Sequence, residues 1–232
     1  MRVLAVIHGP DVRPEIFADV IAEDGHELVE WDIRSQGAPP DGFDAVLVFG
    51  GDQNVGEELK HPWLHEEYAA HRRWIEQETP LLGVCLGAQT LAHALGASVR
   101  RNETELAGFY DTALTAEGER DPVLGVLPPR FRSFNGNGYA LEVPEAGVLL
   151  ATGPVVQAFR VGRAAWGVQF HPEIRHDQAL SWWTDDDIPR PRAELAQELD
   201  AELAAWQEHG RRLCRAFLAF GRQVGAARPL VP

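Results

Sequence analysis

Positive charge is scarce in this 232-residue chain: 21 Lys and Arg stand against 35 Asp and Glu, for a formal net charge of −14. That balance argues against a nucleic-acid surface. No apolar stretch approaches about 18 residues, so no membrane-crossing helix is expected. The opening Met1–His8 is too short an apolar run for an export signal and reads as the start of a strand, so the expected location is cytoplasmic. Cysteine is nearly missing. Cys85 and Cys214 are the two present, and their contexts differ so much that neither reads as half of a disulfide, as suits a reducing compartment. There is no internal repeat, no low-complexity segment and no Gly-x-x-x-x-Gly-Lys-Ser/Thr loop to cradle phosphates. His61 and His65 sit four apart beside Glu66 with no third ligand in view, so they read as a solvated helix face, and neither metal nor cofactor is expected.

What is present is core: 45% of the residues are hydrophobic, enough for one well-packed domain, or two small ones at most. We read residues 1–232 as a single domain, with a core of about 1–175 and a helical extension of about 176–232. The first half alternates strands and helices. Val3 to His8, His26 to Trp31, Asp44 to Phe49 and Leu81 to Val84 read as strands. Pro14 to Asp24 and Pro62 to Glu78 carry helical periodicity, and 35–42 reads as a loop. Repeated β-α-β order predicts an α/β fold of three layers, a mostly parallel central sheet with helices on both faces, whose ligands bind at the carboxyl ends of the strands. Between Arg100 and Pro172, short strand-like runs (109–114, 131–134, 148–151, 157–161 and 164–170) are punctuated by Gly, Pro and Asn. They read as antiparallel additions to the sheet edge. From His176 onward the pattern is helical again. It includes the acidic run Asp185–Asp187 and a long stretch, Pro191 to Gln223, whose apolar stripe is expected to pack on the domain or on a second copy of the chain. Cys214 lies on that stripe and reads as structural.

Two motifs carry chemistry. In Gly83-Val-Cys85-Leu-Gly87-Ala-Gln89, a buried strand turns sharply into a helix with Cys85 at the tip. Small neighbours are needed at such a turn, because a strained residue there leaves no room for flanking side chains. A helix N-terminus also presents the positive end of its dipole to the sulfur, which favours a thiolate. Much later, Gly167-Val-Gln-Phe-His171-Pro-Glu173 ends another apolar run. In extended chain, residues i and i+2 face the same side, so Glu173 is placed to orient the imidazole of His171 and leave its other nitrogen for a thiol. Cys85, His171 and Glu173 together have the roles of an acyl-transfer triad.

The two motifs, in this order, resemble those of the class I (triad-type) glutamine amidotransferases, and most of all stand-alone proteins similar to the glutaminase domain of GMP synthase. The resemblance runs from about Val3 to about Ile174. It implies a flavodoxin-like fold and hydrolysis of a γ-glutamyl amide through a cysteine thioester, with ammonia passing to a separate synthase subunit. It also implies oxyanion donors from the Gly50–Gly51 loop and from Leu86, and a substrate contact from Gln89. Asp52 stands where the family often has Pro. Asn135 and Asn137 stand where it usually has His and Asp on a docking face, so this chain is expected neither to bind nor to supply a GMP-forming synthetase. Two other readings stay open: a hydrolase of γ-glutamyl peptides or conjugates, and a non-catalytic regulatory subunit that keeps the fold.

Overall fold

The structure is a computed structural model that describes residues 1–184 and 188–227; the acidic run Asp185–Asp187 lies outside the described residues. A nine-stranded sheet runs through the molecule. Its parallel half is built from β1 (Arg2–Ile7), β2 (Glu27–Asp32), β3 (Ala45–Val48) and β4 (Leu81–Val84). Helices α1 (Ile16–Glu23) and α3 (Trp63–Glu76) connect these strands, and a four-residue helical turn, α2 (Ile33–Gln36), forms the start of the expected 35–42 loop. α4 (Leu86–Ala94) follows β4 after a single residue, Cys85. β3 and β4 are buried at every position, as strands covered on both faces must be.

Alternation along β1 shows how the layers form. Val3, Ala5 and Ile7 point into one core, which holds α1, while Leu4 and Val6 point into a second core under α3 and α4. This period-two split is what a strand between two helical layers requires.

The second half adds β5 (Val99–Leu114), α5 (Ala116–Glu119), β6 (Arg130–Leu141), β7 (Gly147–Thr152), β8 (Val156–Val161) and β9 (Ala165–Val168). β5 and β6 are longer than the runs 109–114 and 131–134 suggest, because they pair with each other as a long antiparallel ribbon reaching beyond the apolar segments. The strand order is β2-β1-β3-β4-β9-β8-β7-β5-β6. β9 corrects one expectation. It pairs parallel with β4 in the middle of the sheet and antiparallel only with β8. Both chain segments that leave β4 and β9 therefore emerge at the same, carboxyl, end of the sheet.

After α6 (His176–Ser181) comes α7 (Arg192–Ala227). Its stripe, including Leu199, Leu203, Trp206, Leu213 and Phe217, is buried within this chain against the α1-side core. The stripe thus finds its cover within its own chain, each fully buried large side chain contributing roughly 1.5–3 kcal/mol. Cys214 is buried in the same core.

Candidate active site

Cys85 occupies the single position between β4 and α4 with φ 52° and ψ −108°, a left-handed backbone for a residue with a side chain. Such a conformation costs on the order of 1–3 kcal/mol and needs surroundings that over-determine it. Gly83 and Gly87 provide them. A Cβ on Gly87 would lie 2.1 Å from the Val48 carbonyl oxygen, and one on Gly83 2.5 Å from the Gly87 carbonyl oxygen. The Gly87 N–H donates to the Phe49 carbonyl at 3.2 Å, which ties the elbow to the loop after β3.

His171 arrives by a different route from the one its spacing suggests. β9 stops at Val168, and Pro172 and Glu173 lie in a turn rather than in extended chain. The expected contact forms nonetheless: His171 Nδ1 is 2.8 Å from Glu173 Oε1, and both residues are buried. Long-range bonds hold the turn. The His171 N–H donates to the Phe134 carbonyl on β6 at 2.9 Å, and Trp206 Nε1 on α7 donates to the His171 carbonyl at 2.8 Å. The Ile16 N–H donates to the Glu173 carbonyl at 3.1 Å. With Nδ1 engaged by Glu173, the other ring nitrogen remains for Cys85, which opens onto the same cavity. Burial on its own lowers the His171 pKa. The Glu173 carboxylate and Cys85 outweigh it and raise the value to about 10, so the ring is held as imidazolium in this pairing.

The Gly50–Gly51 loop stands opposite. A Cβ on Gly50 would lie 2.9 Å from His171 Cε1 and 3.5 Å from Cys85 Cβ, which places this glycine directly against the pair. Among the described residues, neither the Gly51 N–H nor the Leu86 N–H has a hydrogen-bond partner, whereas the Gly87 N–H is taken. Two free backbone donors beside a nucleophile are the makings of an oxyanion hole. Cys85, Leu86, Gly51, Gln89 and His171 open onto one cavity of about 690 Å³.

Gln89 is buried, 3% exposed, rather than on a helix surface. Its Nε2 donates to the Tyr139 carbonyl at 3.1 Å and to Gln169 Oε1 at 3.2 Å. Gln169 in turn donates through Nε2 to Cys85 Sγ at 3.6 Å. Sequence reasoning passed over Gln169, although the i, i+2 relation that singled out Glu173 from His171 also reaches back to it. Trp182 is a second omission: its ring lies 4.4 Å from that of His171, and its Nε1 donates to the Asp11 carbonyl at 3.0 Å. No local pattern marks it, because it comes from the segment after α6.

His8 and His93 do not line the cavity. His8 lies behind the Gly50 carbonyl, bonded to Glu67. His93 packs on Tyr68. No group of three or more metal-ligating side chains occurs among the described residues, and no described helix is long and apolar enough to cross a membrane. Asn135 and Asn137 depart from expectation. They are 0% and 4% exposed, with their amide groups donating to Ser133 and to the Tyr139 carbonyl. Neither forms an exposed docking face; Asn137 lines the cavity instead. The ribbon's inward alternation turned these side chains into the molecule.

Known proteins resemble this chain in sequence and in fold. The family described as glutamine amidotransferase class-I matches residues 23–187. The chain is 33% identical over 156 residues to one of the subunits of the glutamine-hydrolyzing GMP synthase of Natronomonas pharaonis, covering 65% of this chain and 78% of that one. It is 26% identical over 184 residues to a glutamine-hydrolyzing GMP synthase of Thermosipho melanesiensis, covering 77% of this chain but 34% of that protein, so it spans about a third of the longer relative. Among solved structures, a glutamine amidotransferase from Thermotoga maritima superposes with a TM-score of 0.83 at 25% identity, covering 95% of this chain and 97% of the other. The α/β fold matches those structures, and with the family matched over most of its length, the chain belongs to the class-I glutamine amidotransferases.

Proposed function

We propose that the chain hydrolyses the side-chain amide of glutamine through Cys85 and delivers the ammonia to a separate synthase subunit. The Cys85 sulfur attacks the amide carbon, and the oxygen of the tetrahedral intermediate accepts from the Gly51 and Leu86 N–H groups. His171 gives its proton to the departing nitrogen, so ammonia leaves and a γ-glutamyl thioester remains. His171 then takes a proton from water, which attacks the thioester, and glutamate and the thiol are released. Glu173 fixes the His171 tautomer and offsets the imidazolium charge. Gln89, with its Nε2 already engaged, keeps its amide oxygen for a substrate N–H, and Gln169 orients the sulfur. No step draws on a cofactor or metal. We read residues 1–232 as one catalytic domain, because α7 reaches the His171 carbonyl through Trp206.

The observation that carries this reading is the meeting of Cys85 and the His171–Glu173 pair beside two unpartnered backbone donors. Steady-state release of glutamate from glutamine, set beside release from a γ-glutamyl dipeptide, tests it. Glutamine turnover that vanishes in Cys85→Ala supports the proposal. Turnover of the dipeptide alone would redirect it to γ-glutamyl conjugates, and an unreactive Cys85 would leave a binding role.

A further inference from the structure

Behind the oxyanion loop, outside the cavity, lies a polar cluster that the chemistry above leaves unused. The side chains of His8, Glu67 and His71 are all fully buried, and Thr90 is buried with them. His8 Nδ1 is 3.0 Å from the Gly50 carbonyl oxygen, and His8 Nε2 is 2.5 Å from Glu67 Oε2. The other carboxylate oxygen, Glu67 Oε1, accepts from Thr90 Oγ1 at 2.5 Å, and His71 Nε2 is 3.0 Å from the same hydroxyl.

The protons in this cluster can be placed one by one. A carbonyl oxygen and an ionised carboxylate only accept, so both ring nitrogens of His8 donate and the ring is an imidazolium. Thr90 has one hydroxyl proton, which goes to Glu67 at 2.5 Å in preference to the Gly87 carbonyl at 3.1 Å, so its oxygen accepts the N–H of His71. His71 Nδ1 has no partner. The surrounding charges agree. Burial disfavours the charged His8, but Glu67, the Gly50 carbonyl and Asp32 outweigh it and raise its pKa. Burial likewise opposes the Glu67 carboxylate, and His8 and His71 outweigh that and lower its pKa.

The consequence lies in the peptide that His8 touches. The C=O of Gly50 and the N–H of Gly51 belong to one trans peptide unit and point in opposite directions. With the carbonyl held by His8, the N–H is turned away from it, toward the cavity that Gly51 lines. Turned over, the same peptide would aim a carbonyl oxygen at the developing oxyanion. Glycine on both sides gives the peptide little steric reason to prefer either orientation, so the preference must come from a hydrogen bond.

We propose that His8, held by Glu67, is the positioning residue that keeps the Gly50–Gly51 peptide turned with its N–H toward the substrate carbonyl. Glu67 also grips Thr90 on α4, so one carboxylate registers the oxyanion loop against the nucleophile's helix. The proposal rests on the hydrolytic reading above, and its test is built to fail separately.

The variant is His8→Leu/Glu67→Gln, which removes the pin without leaving a buried carboxylate unpaired. Its companion, His8→Asn/Glu67→Gln, restores a donor near the position of Nδ1. With glutamine as substrate, the first should lose roughly 10²-fold in kcat with KM nearly unchanged, as when one oxyanion donor is lost. The second should recover part of that loss. Affinity for glutamate γ-semialdehyde, whose thiol adduct is tetrahedral, should fall in parallel while affinity for glutamate stays level. Equal kcat in wild type and the first variant, or weakened glutamate binding matching the loss, would overturn the proposal. Nitrogen-15 NMR of the wild-type histidines provides a readout that needs no turnover and no variant. Two protonated ring nitrogens on His8 at neutral pH are expected, and one bare nitrogen would overturn the assignment. A wild type inert toward glutamine but with His8 doubly protonated would refute the hydrolytic reading and leave the pin standing.

Discussion

Cys85 takes its shape from Gly83 and Gly87 within two residues of it, with one backbone bond to the distant Val168 carbonyl, whereas His171 is fixed by Phe134 and Trp206, both distant in sequence. The elbow is a local device: a positive φ, a helix that starts at once, and two glycines where any Cβ would strike backbone. The His171 turn lacks such a device. It begins after β9 has ended, and its shape is imposed by β6, α7 and the start of α1. The contrast separates two ways of building a reactive pair, one resistant to change far away and the other exposed to it.

The sharpest way to break the comparison is at Glu173, whose carboxylate is the local part of the base side. Glu173→Gln should lower kcat by roughly 10²–10⁴-fold, the range spanned by positioned general acid–base catalysis. It should also move the alkaline limb of kcat/KM to lower pH. The sign follows from the pairing: Glu173 helps raise the His171 pKa to about 10, the imidazolium is the proton donor, and that donor is lost as pH rises through the pKa. Removing the negative charge lowers the pKa, so the limb shifts down. An unchanged limb would mean that Glu173 does not set the state of His171.

On the nucleophile side, Gly87→Ala puts a methyl 2.1 Å from the Val48 carbonyl oxygen. With backbone on the other side of the clash, little can yield. We expect a stability loss of about 3 kcal/mol, at the upper end for overpacking, and a roughly 10²-fold fall in kcat from displacement of the sulfur. Denaturant unfolding and steady-state kinetics measure the two. A fully active, equally stable variant would show that the elbow is not held locally.

The smallest expected effect sharpens the distant side. Trp206→Phe keeps the packing of α7 but removes one hydrogen bond to the His171 carbonyl, worth about 1 kcal/mol. A modest drop in stability should come with a several-fold fall in kcat. Lost stability with unaltered kcat would reduce α7 to packing alone.

The same division explains what could be read from the chain. The parallel half was legible because apolar runs and helical periodicities mark its strands and its longer helices, though not the four-residue α2, and the elbow because its glycines lie within two residues of the cysteine. Cys85, His171, Glu173 and Gln89 stand out in the sequence because each sits in a short motif. Gln169 had a signal in its register with His171 that went unused. Trp182, Trp206 and the His8–Glu67 pair had none, since their importance arises only when remote segments meet. The inward turn of Asn135 and Asn137 was hidden for a related reason: a ribbon's facing is set by the partner strand, and the β5–β6 register is irregular between Arg101 and Leu106.

The central claim, that the elbow cysteine carries the γ-glutamyl group, is tested most directly by trapping it. Wild-type protein is mixed with glutamine labelled in its carbon chain, quenched in acid during turnover, digested and mapped by mass spectrometry. The account expects the glutamyl group as a thioester on the peptide containing Cys85, absent in Cys85→Ala and retained in Cys214→Ala. Burial, aided by Asp24, pushes the Cys214 thiol well above its ordinary pKa, so it is a poor nucleophile. Label on Cys214, or glutamate release with no label on Cys85, would contradict it.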